Sequence, residues 1–126
     1  MHRFVVSFGS NLEAEAHRTL ARGALMARFG AVAESPFVWT EAIGGGDQPR
    51  YLNGAYCFHA GLDPERVRSE LRAIEGELGR VRTADKYAPR TVDLDLIAVD
   101  GEIVHPDYHQ RDFVRKSARS LAPDLP

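Results

Sequence analysis

Two helical segments alternate with short strand segments along this chain, and their order limits the possible folds more than any other feature of the sequence. Apolar residues recur every three to five positions in the helical segments, whereas β-branched and aromatic residues dominate the strand segments. In chain order the segments are strand 4–8, helix 12–29, strands 32–39 and 51–60, helix 63–78 and strand 91–99. The order β-α-β-β-α-β predicts an α+β fold, a ferredoxin-like sandwich in which an antiparallel sheet carries the helices on one face.

The helix boundaries carry local signals. Residues 10–13 (Ser-Asn-Leu-Glu) fit a capping box at the start of the first helix. Residues 63–65 (Asp-Pro-Glu) combine an N-cap carboxylate, a proline at the first helical position and an acid in the first turn. Pro36 interrupts the second strand segment and has to lie at an edge or a bulge, and a short helix is predicted over 113–121. The predicted core-facing stripes are Leu12, Ala16, Leu20, Ala24, Leu25 and Phe29 in the first helix and Val67, Leu71, Ile74 and Leu78 in the second.

Length and composition exclude several classes of protein. A chain of 126 residues suits one domain with one core, so residues 1–126 are expected to form a single domain. The 16 Lys and Arg against 18 Asp and Glu give a net charge of −2, which argues against a general nucleic-acid binder. No apolar run approaches the roughly 18 residues of a membrane span, and Cys57 has no second cysteine with which to form a disulfide. We therefore expect a cytoplasmic protein that binds neither nucleic acid nor membrane. A monomer is expected as well, although no feature of the composition determines the oligomeric state.

Two aspartates in the last strand segment indicate chemistry. Asp93 and Asp95 are two residues apart, so on a strand they share one face and are separated by about 6.6 Å along the chain. The opposite face, which is expected to pack under the helices, consists of Val92, Leu94, Leu96 and Ala98. The two carboxylates are then expected on the face that the helices leave open.

Four cations precede the two aspartates, at Arg80, Arg82, Lys86 and Arg90. Two carboxylates at this spacing repel each other unless a cation lies between them, and oxygen ligands without a nearby thiol or histidine suit Mg²⁺. Guanidinium groups match the geometry of phosphate. The combined pattern predicts a site for a Mg-nucleotide that undergoes phosphoryl-type transfer. From the residues alone, the alternative is solubilising charge on an exposed strand face and a solvated loop.

Tyr51 and Asn53 share one face of the third strand segment. An aromatic ring beside a carboxamide can stack on a flat heterocycle and bond its amide-like edge. An ordinary solvated sheet face is the alternative interpretation. The loop at 44–49 (Gly-Gly-Gly-Asp-Gln-Pro) precedes this strand, and it is predicted, together with the arginine-rich loop, to close over ligands and exclude water.

Eight short motifs follow one another along the chain. They are residues 9–12 (Gly-Ser-Asn-Leu), 47–49 (Asp-Gln-Pro) leading into 51–53 (Tyr-Leu-Asn), 74–75 (Ile-Glu), 79–82 (Gly-Arg-Val-Arg), 87–96 (Tyr-Ala-Pro-Arg-Thr-Val-Asp-Leu-Asp-Leu), His105-Pro106, Arg111-x-Phe113 and Ala122-Pro123. In these motifs and in their order the chain resembles the 6-hydroxymethyl-7,8-dihydropterin pyrophosphokinase family over nearly its whole length. The motif at 87–96 is the specific one, whereas Gly-Ser-Asn-Leu alone would be a weak signal.

The resemblance implies an ATP-dependent diphosphotransferase of folate biosynthesis, a pyrophosphokinase-like domain over 1–126. Such an enzyme transfers the β,γ-diphosphate of ATP to the hydroxymethyl group of 6-hydroxymethyl-7,8-dihydropterin and leaves AMP, so its partners are ATP and a reduced hydroxymethyl pterin. By this resemblance Asp93 and Asp95 hold two Mg²⁺ ions bound with ATP, and Arg80 and Arg90 are catalytic cations. The implied pterin-binding residues are Thr40, Ala42, Tyr51, Asn53 and Phe113, and the implied ATP-binding residues are Glu75, Arg82, Tyr87, His105 and Arg111.

The chain also departs from the pattern of this family. The segment between Asp95 and His105 is shorter than usual, and residues 114–120 carry three cations where an apolar, proline-containing segment is typical. These cations are interpreted as the solvated face of a terminal helix, with a surface for an acidic ligand or partner as the alternative. Two other functions stay open: a shortened paralogue that binds a pterin or nucleotide with weak, altered or no transfer, and a ferredoxin-like RNA-binding or regulatory module.

Overall fold

In the computed structural model the described residues are 1–41, 49–79 and 92–126, and they form six strands and four helices. In chain order these elements are β1 (His2–Ser10), α1 (Ala14–Phe29), β2 (Val32–Glu34), β3 (Val38–Thr40), β4 (Tyr51–Ala60), α2 (Pro64–Glu77), β5 (Asp93–Val99), β6 (Glu102–Ile103), α3 (Asp107–Gln110) and α4 (Asp112–Leu121). The predicted α+β class and the predicted order of the main elements are confirmed. Among the described helices, none is both long enough and apolar enough to cross a membrane.

The strands form one antiparallel sheet in which β1 is central. The order across the sheet is β2-β4-β1-β5-β6, and β3 pairs with β4 on the same edge as β2. β1 pairs with β4 from His2 to Ser10, and with β5 from Phe4 to Gly9. The apolar sequence of β1 matches this central position, because residues 4–6 are fully buried.

The helices α1 and α2 cover one face of the sheet, as predicted. The buried cluster beneath them joins residues of both helices and of four strands, among them Leu25, Leu71, Ile74, Phe58 and Leu94. The predicted start of α2 is confirmed, since Asp63 Oδ1 accepts a hydrogen bond from the N–H of Arg66 at 2.9 Å and Pro64 is the first helical residue. The predicted stripe of α2 is confirmed too, with Leu78 packed at its edge.

A second buried cluster lies on the opposite face of the sheet, where α4 packs. Val114 and Ala118 of α4 and Tyr108 of α3 are buried there with Val5 and Ile97. The predicted helix at 113–121 is thus confirmed. It covers part of the sheet face opposite α1 and α2, where the predicted sandwich has no helix. The rest of this face stays open, and it contains the candidate site.

A β-bulge between β1 and β5 changes the face on which Ala98 lies. Val5 pairs with Ala98, whereas Val6 pairs with Leu96, so Ile97 is the extra residue. Up to Leu96 the predicted alternation holds, and Leu96 lies under α1 and α2. The prediction that Ala98 also lies there is wrong, because the bulge turns this residue into the cluster beneath α4.

The start of α1 differs from the prediction. β1 continues through Ser10, and the helix begins at Ala14. Ser10 is fully buried, and its hydroxyl donates to the carbonyl of Leu12 at 3.2 Å. Glu13 has φ 47° and makes no side-chain capping bond. The predicted capping box is therefore wrong, because Ser10 belongs to the central strand.

The buried face of α1 is rotated relative to the predicted stripe. Its buried residues are Ala14, His17, Ala21 and Leu25. Leu12 and Leu20 of the predicted stripe are 45% and 53% exposed, whereas Ala24 and Phe29 pack against the core as expected. Leu25 is confirmed, whereas Ala16 is exposed like the two leucines. The prediction is wrong for Ala16 and Leu20 because the core-facing side of α1 runs through His17 and Ala21, and for Leu12 because it precedes the helix.

Pro36 splits the second strand segment into β2 and β3. Ser35 bridges the break, since its N–H donates to the carbonyl of Ala55 at 2.9 Å and its hydroxyl accepts the N–H of Ala55 at 2.8 Å. Phe37 then packs against the helix-side core, over Gly54. The prediction that Pro36 lies at an edge or a bulge is confirmed, because both pieces belong to an edge of the sheet.

Candidate active site

A cleft of about 350 Å³ opens on the sheet face beside α4. Strands β1, β4 and β5 form its floor, and the beginning of α4 forms one wall. Seven of the residues that the sequence predicts for the site line it: Thr40, Tyr51, Asn53, Asp93, Asp95, Arg111 and Phe113. The other lining residues are Ser7, Phe8, Gly9, Glu41, Gly54, Asp107 and Val114.

The register of the three central strands builds the floor of the cleft. Gly9 of β1 pairs with Asn53 on one side and with Asp93 on the other, while Ser7 pairs with Asp95. Both carboxylates therefore lie on the open face, as predicted, because they precede the bulge. A Cβ at Gly9 would lie 3.3 Å from Asn53 Oδ1, so this glycine keeps the floor uncovered between the carboxamide and the carboxylates.

Asp95 lies in surroundings that disfavour its ionised form. Burial is the main cause that raises its pKa above the usual 3.8, and the nearby His105 counteracts this rise. The carboxylates of Asp93 and Asp107 raise the pKa further, and the guanidinium of Arg72 lowers it. A divalent cation would relieve this repulsion. Carboxylate oxygens are the ligands that Mg²⁺ takes in proteins, so the residues of this site fit the metal that the sequence predicts.

Asp107 is a residue of the cleft that the sequence does not reveal. One potential ligand atom each from Asp95, His105 and Asp107 lies within 4.8 Å of the other two. His105 Nδ1 already accepts the backbone N–H of Asp107 at 3.1 Å, so the two carboxylates are the better metal ligands of this group. The turn between β6 and α3 brings Asp107 to the cleft, and no local spacing pattern links it to the acids of β5.

The side of the cleft away from the acids combines rings and a carboxamide. Thr40 pairs with Tyr51 between β3 and β4. Asn53 Nδ2 donates to Thr40 Oγ1 at 2.6 Å, which fixes the orientation of the carboxamide. Phe113 of α4 lines the same cleft and is half-buried. The structure thus brings together the residues that the sequence predicts for a flat heterocycle, and their binding roles stay predictions.

The residues predicted to bind ATP do not all lie at the cleft. Arg111 lines the cleft, and His105 lies beside Asp95. Glu75 does not line the cleft: it is 2% exposed, and its Oε2 accepts the N–H of Leu94 at 2.8 Å. This hydrogen bond attaches β5 to α2, and the role of Glu75 in ATP binding stays a prediction. The predicted residues Ala42, Arg80, Arg82, Tyr87 and Arg90 lie outside the described residues, as do almost all of the two loops predicted to close over ligands.

The amino-acid sequence of this chain matches the model of a known enzyme family. The family model of 7,8-dihydro-6-hydroxymethylpterin-pyrophosphokinase (HPPK) matches residues 5–123. The chain belongs to the HPPK family. The matched range includes every described residue that lines the cleft, and the resemblance read from the motifs is confirmed.

Individual relatives in the HPPK family agree with this assignment. The 2-amino-4-hydroxy-6-hydroxymethyldihydropteridine pyrophosphokinase of Pseudomonas aeruginosa is 35% identical over 136 residues, which cover 99% of this chain and 83% of the relative. The enzyme of the same name from Haemophilus influenzae is 32% identical over 95% of this chain and 81% of the relative. The one from a Synechocystis strain is 33% identical over 98% of this chain and 68% of the relative. Among solved structures, the C-terminal domain of the MgtC protein from Mycobacterium tuberculosis aligns with a TM-score of 0.42 and 12% identity, over 76% of this chain and 87% of that one. This likeness is too weak to indicate a common fold or function.

Proposed function

We propose that this chain transfers the β,γ-diphosphate of ATP to the hydroxymethyl group of 6-hydroxymethyl-7,8-dihydropterin, a step of folate biosynthesis, and releases AMP. Membership of the HPPK family supports pyrophosphokinase activity. ATP as the donor, Mg²⁺ as the metal and the reduced pterin as the acceptor are part of the proposal. The proposal also includes a monomeric enzyme that acts in the cytoplasm, where ATP is available.

The observation that carries the proposal is the composition of one cleft. Asp93 and Asp95 stand on its floor, while Tyr51, Asn53 and Phe113 line the same space. Carboxylates that gather a divalent cation suit a polyphosphate, and rings beside a fixed carboxamide suit a flat heterocycle. Because both halves share one cleft, an acceptor alcohol and a phosphorus atom can meet in it.

The proposed reaction forms one oxygen–phosphorus bond and breaks another. The oxygen of the hydroxymethyl group attacks the β-phosphorus of ATP, and the bond from that phosphorus to the oxygen bridging to the α-phosphorus breaks. AMP leaves with the bridging oxygen, and the proton of the alcohol is released. No covalent intermediate with the protein is required, so the residues of the chain have to position the reactants and neutralise charge.

The cleft residues divide this work among themselves. Asp93 and Asp95 would hold the metal, which neutralises charge on the phosphate oxygens when it is bound. Arg111 lines the same cleft and offers a guanidinium that can pair with phosphate oxygens. Asn53 is held by Thr40 and presents its carboxamide oxygen toward the floor at Gly9.

A direct assay tests the proposal. Pure protein is mixed with ATP, Mg²⁺ and the reduced hydroxymethyl pterin, and AMP and diphosphorylated pterin are quantified in samples with and without EDTA. We expect the two products in equal amounts, and none when the pterin or the metal is omitted. Pterin binding without AMP formation would instead favour the paralogue without transfer, and absence of both pterin and Mg-ATP binding would favour a regulatory module.

Substitution of Phe113 tests the pterin half of the cleft. Phe113→Leu keeps an apolar side chain at this position of α4 but removes the ring. Stacking of a nucleic-acid base on an aromatic ring contributes about 1–3 kcal/mol, and a pterin ring is a similar flat heterocycle. We expect the Kd for the pterin to rise by about tenfold or more, which corresponds to at least about 1.4 kcal/mol. Isothermal titration calorimetry with the pterin measures this change, and the Mg-ATP affinity is expected to stay as in the wild type.

Trp39→Leu provides the matched control for this variant. Trp39 is an exposed aromatic residue of β3, 46% accessible, and it is absent from the lining of the cleft. Its replacement is expected to leave the pterin Kd unchanged. Equal losses of pterin affinity in both variants would contradict a specific stacking role for Phe113.

A further inference from the structure

The outer edge of β5 is held by side chains at the position of the two aspartates. Among the described residues, β6 pairs with β5 only at Ala98 and Val99. Leu94, between the two carboxylates, bonds its outward backbone groups to α2 instead. Its N–H donates to Glu75 Oε2 at 2.8 Å, and its carbonyl accepts a hydrogen bond from Arg72 Nη2. An unpaired backbone at this place would be costly, so these two side chains replace a neighbouring strand.

Arg72 and Glu75 form one unit that ends at the acid pair. Arg72 Nε lies 3.3 Å from Glu75 Oε1, and Arg72 Nη2 lies 3.7 Å from Asp95 Oδ1. Glu75 is buried, and the guanidinium of Arg72 supplies a counter-charge to its carboxylate. A single guanidinium therefore contacts the buried anchor, the backbone beside Asp95 and the carboxylate of Asp95, although Arg72 itself does not line the cleft.

We propose that Arg72 is a positioning residue for the diphosphate transfer. Arg72 pairs with Glu75 and donates to the carbonyl of Leu94, and through these contacts it sets the position of the Asp95 carboxylate, which would hold the metal. The inference rests on the proposed function. Arg72 is outside the lining of the cleft and acts through Asp95. Partners that orient a metal ligand from behind commonly affect metal affinity and activity by about 10–100-fold.

Arg72→Lys separates positioning from charge. Lysine keeps the positive charge, but its single nitrogen cannot replace a guanidinium that reaches Glu75 through Nε and Leu94 through Nη2. We expect kcat to fall by about tenfold and the Mn²⁺ affinity to weaken by a similar factor. Mn²⁺ binding is measured by electron paramagnetic resonance in the presence of α,β-methylene-ATP, which the reaction cannot cleave. The Kd for the pterin is expected to remain unchanged, because β3, β4 and α4 supply that half of the cleft.

Arg68→Lys is the control on the same helix. Arg68 lies one turn earlier, is partly exposed and pairs with Glu65, so its replacement is expected to change neither kcat nor the Mn²⁺ affinity. Arg72→Met is a second variant that removes the charge as well, and its kcat is expected to fall further than that of Arg72→Lys. Melting temperatures of all variants show whether the fold persists.

The outcomes distinguish this inference from its alternatives. A folded Arg72→Lys enzyme with wild-type kcat and wild-type Mn²⁺ affinity would overturn it, even if the melting temperature fell, because that is the signature of a merely structural contact. If the wild type forms no AMP but binds Mn²⁺ with the ATP analogue, the proposed function fails and the Mn²⁺ affinities still decide the role of Arg72. Absence of any Mn²⁺–nucleotide binding by the wild type would overturn both.

Discussion

Asp95→Asn is expected to abolish diphosphate transfer while leaving the fold intact. The substitution keeps the shape of the side chain and removes the charge that holds the metal. If the metal contributes about 4 kcal/mol to stabilisation of the transition state, its loss lowers kcat by about a thousandfold. Single-turnover formation of AMP measures the rate, and calorimetry with Mn²⁺ and the ATP analogue shows whether the metal is lost.

The same variant is expected to be at least as stable as the wild type. Burial raises the pKa of Asp95, with Asp93 among the neighbours that add to the rise, so the ionised carboxylate destabilises the folded protein at neutral pH. A neutral amide removes that penalty, and thermal unfolding without metal is expected to show an equal or higher melting temperature. Asp112→Asn is the control, because Asp112 is an exposed acid of α4 that pairs with Arg115 outside the cleft. Near-normal turnover of Asp95→Asn would contradict the metal-binding role.

Gly54→Ala is expected to have the largest effect on stability. A Cβ at this position would lie 2.5 Å from carbon atoms of the Phe37 ring, closer than packed atoms can approach. The ring cannot move away easily, since it packs between Phe8 and Tyr56 with centroid distances of 5.6 and 5.7 Å and carries the guanidinium of Arg18 at 4.0 Å. Overpacking of this kind costs about 1–3 kcal/mol. Urea unfolding at equilibrium measures the loss.

Two further variants decide whether the clash is the cause. In a Phe37→Ala background the added methyl group has room, so Gly54→Ala is expected to cost little there, and the two substitutions should be strongly non-additive. Gly23→Ala adds the same methyl group in the middle of α1, where no atom lies within 4 Å, and it is expected to stabilise the protein by about 1 kcal/mol. Additive costs of Gly54→Ala and Phe37→Ala would contradict the proposed contact.

Local patterns predicted most of the elements and half of the site. The alternation from Val92 to Leu96 predicted correctly that Asp93 and Asp95 share the open face, because side chains alternate along a strand and no bulge interrupts β5 before Leu96. The capping signal at Asp63 likewise predicted the start of α2, since a cap bonds to amides only three residues away. The alternation and the cap both depend on residues a few positions apart in the chain, so a local sequence pattern is enough to predict them.

Other predictions failed where a distant partner decided the outcome. Ser10 has the residue type of a helix cap, but its pairing with Leu52 keeps it in the central strand. The face of Ala98 depends on a bulge in the pairing of β1 with β5, which periodicity alone does not show. The attachment of β5 by the buried Glu75 is likewise a contact with a distant residue, Leu94, which the motif alone does not show.

The sequence by itself determined the α+β class, the family and the face on which the two aspartates lie. Strand alternation and capping depend on neighbouring residues, and the order of the motifs is a property of the linear sequence. Only the tertiary structure decided that Asp107 joins the acids of β5 and that Arg72 reaches Asp95 from behind. These contacts join residues far apart in the chain, and their existence depends on how α2, β5 and the turn before α3 pack together. Packing of that kind follows from the whole set of buried contacts, which no local pattern contains.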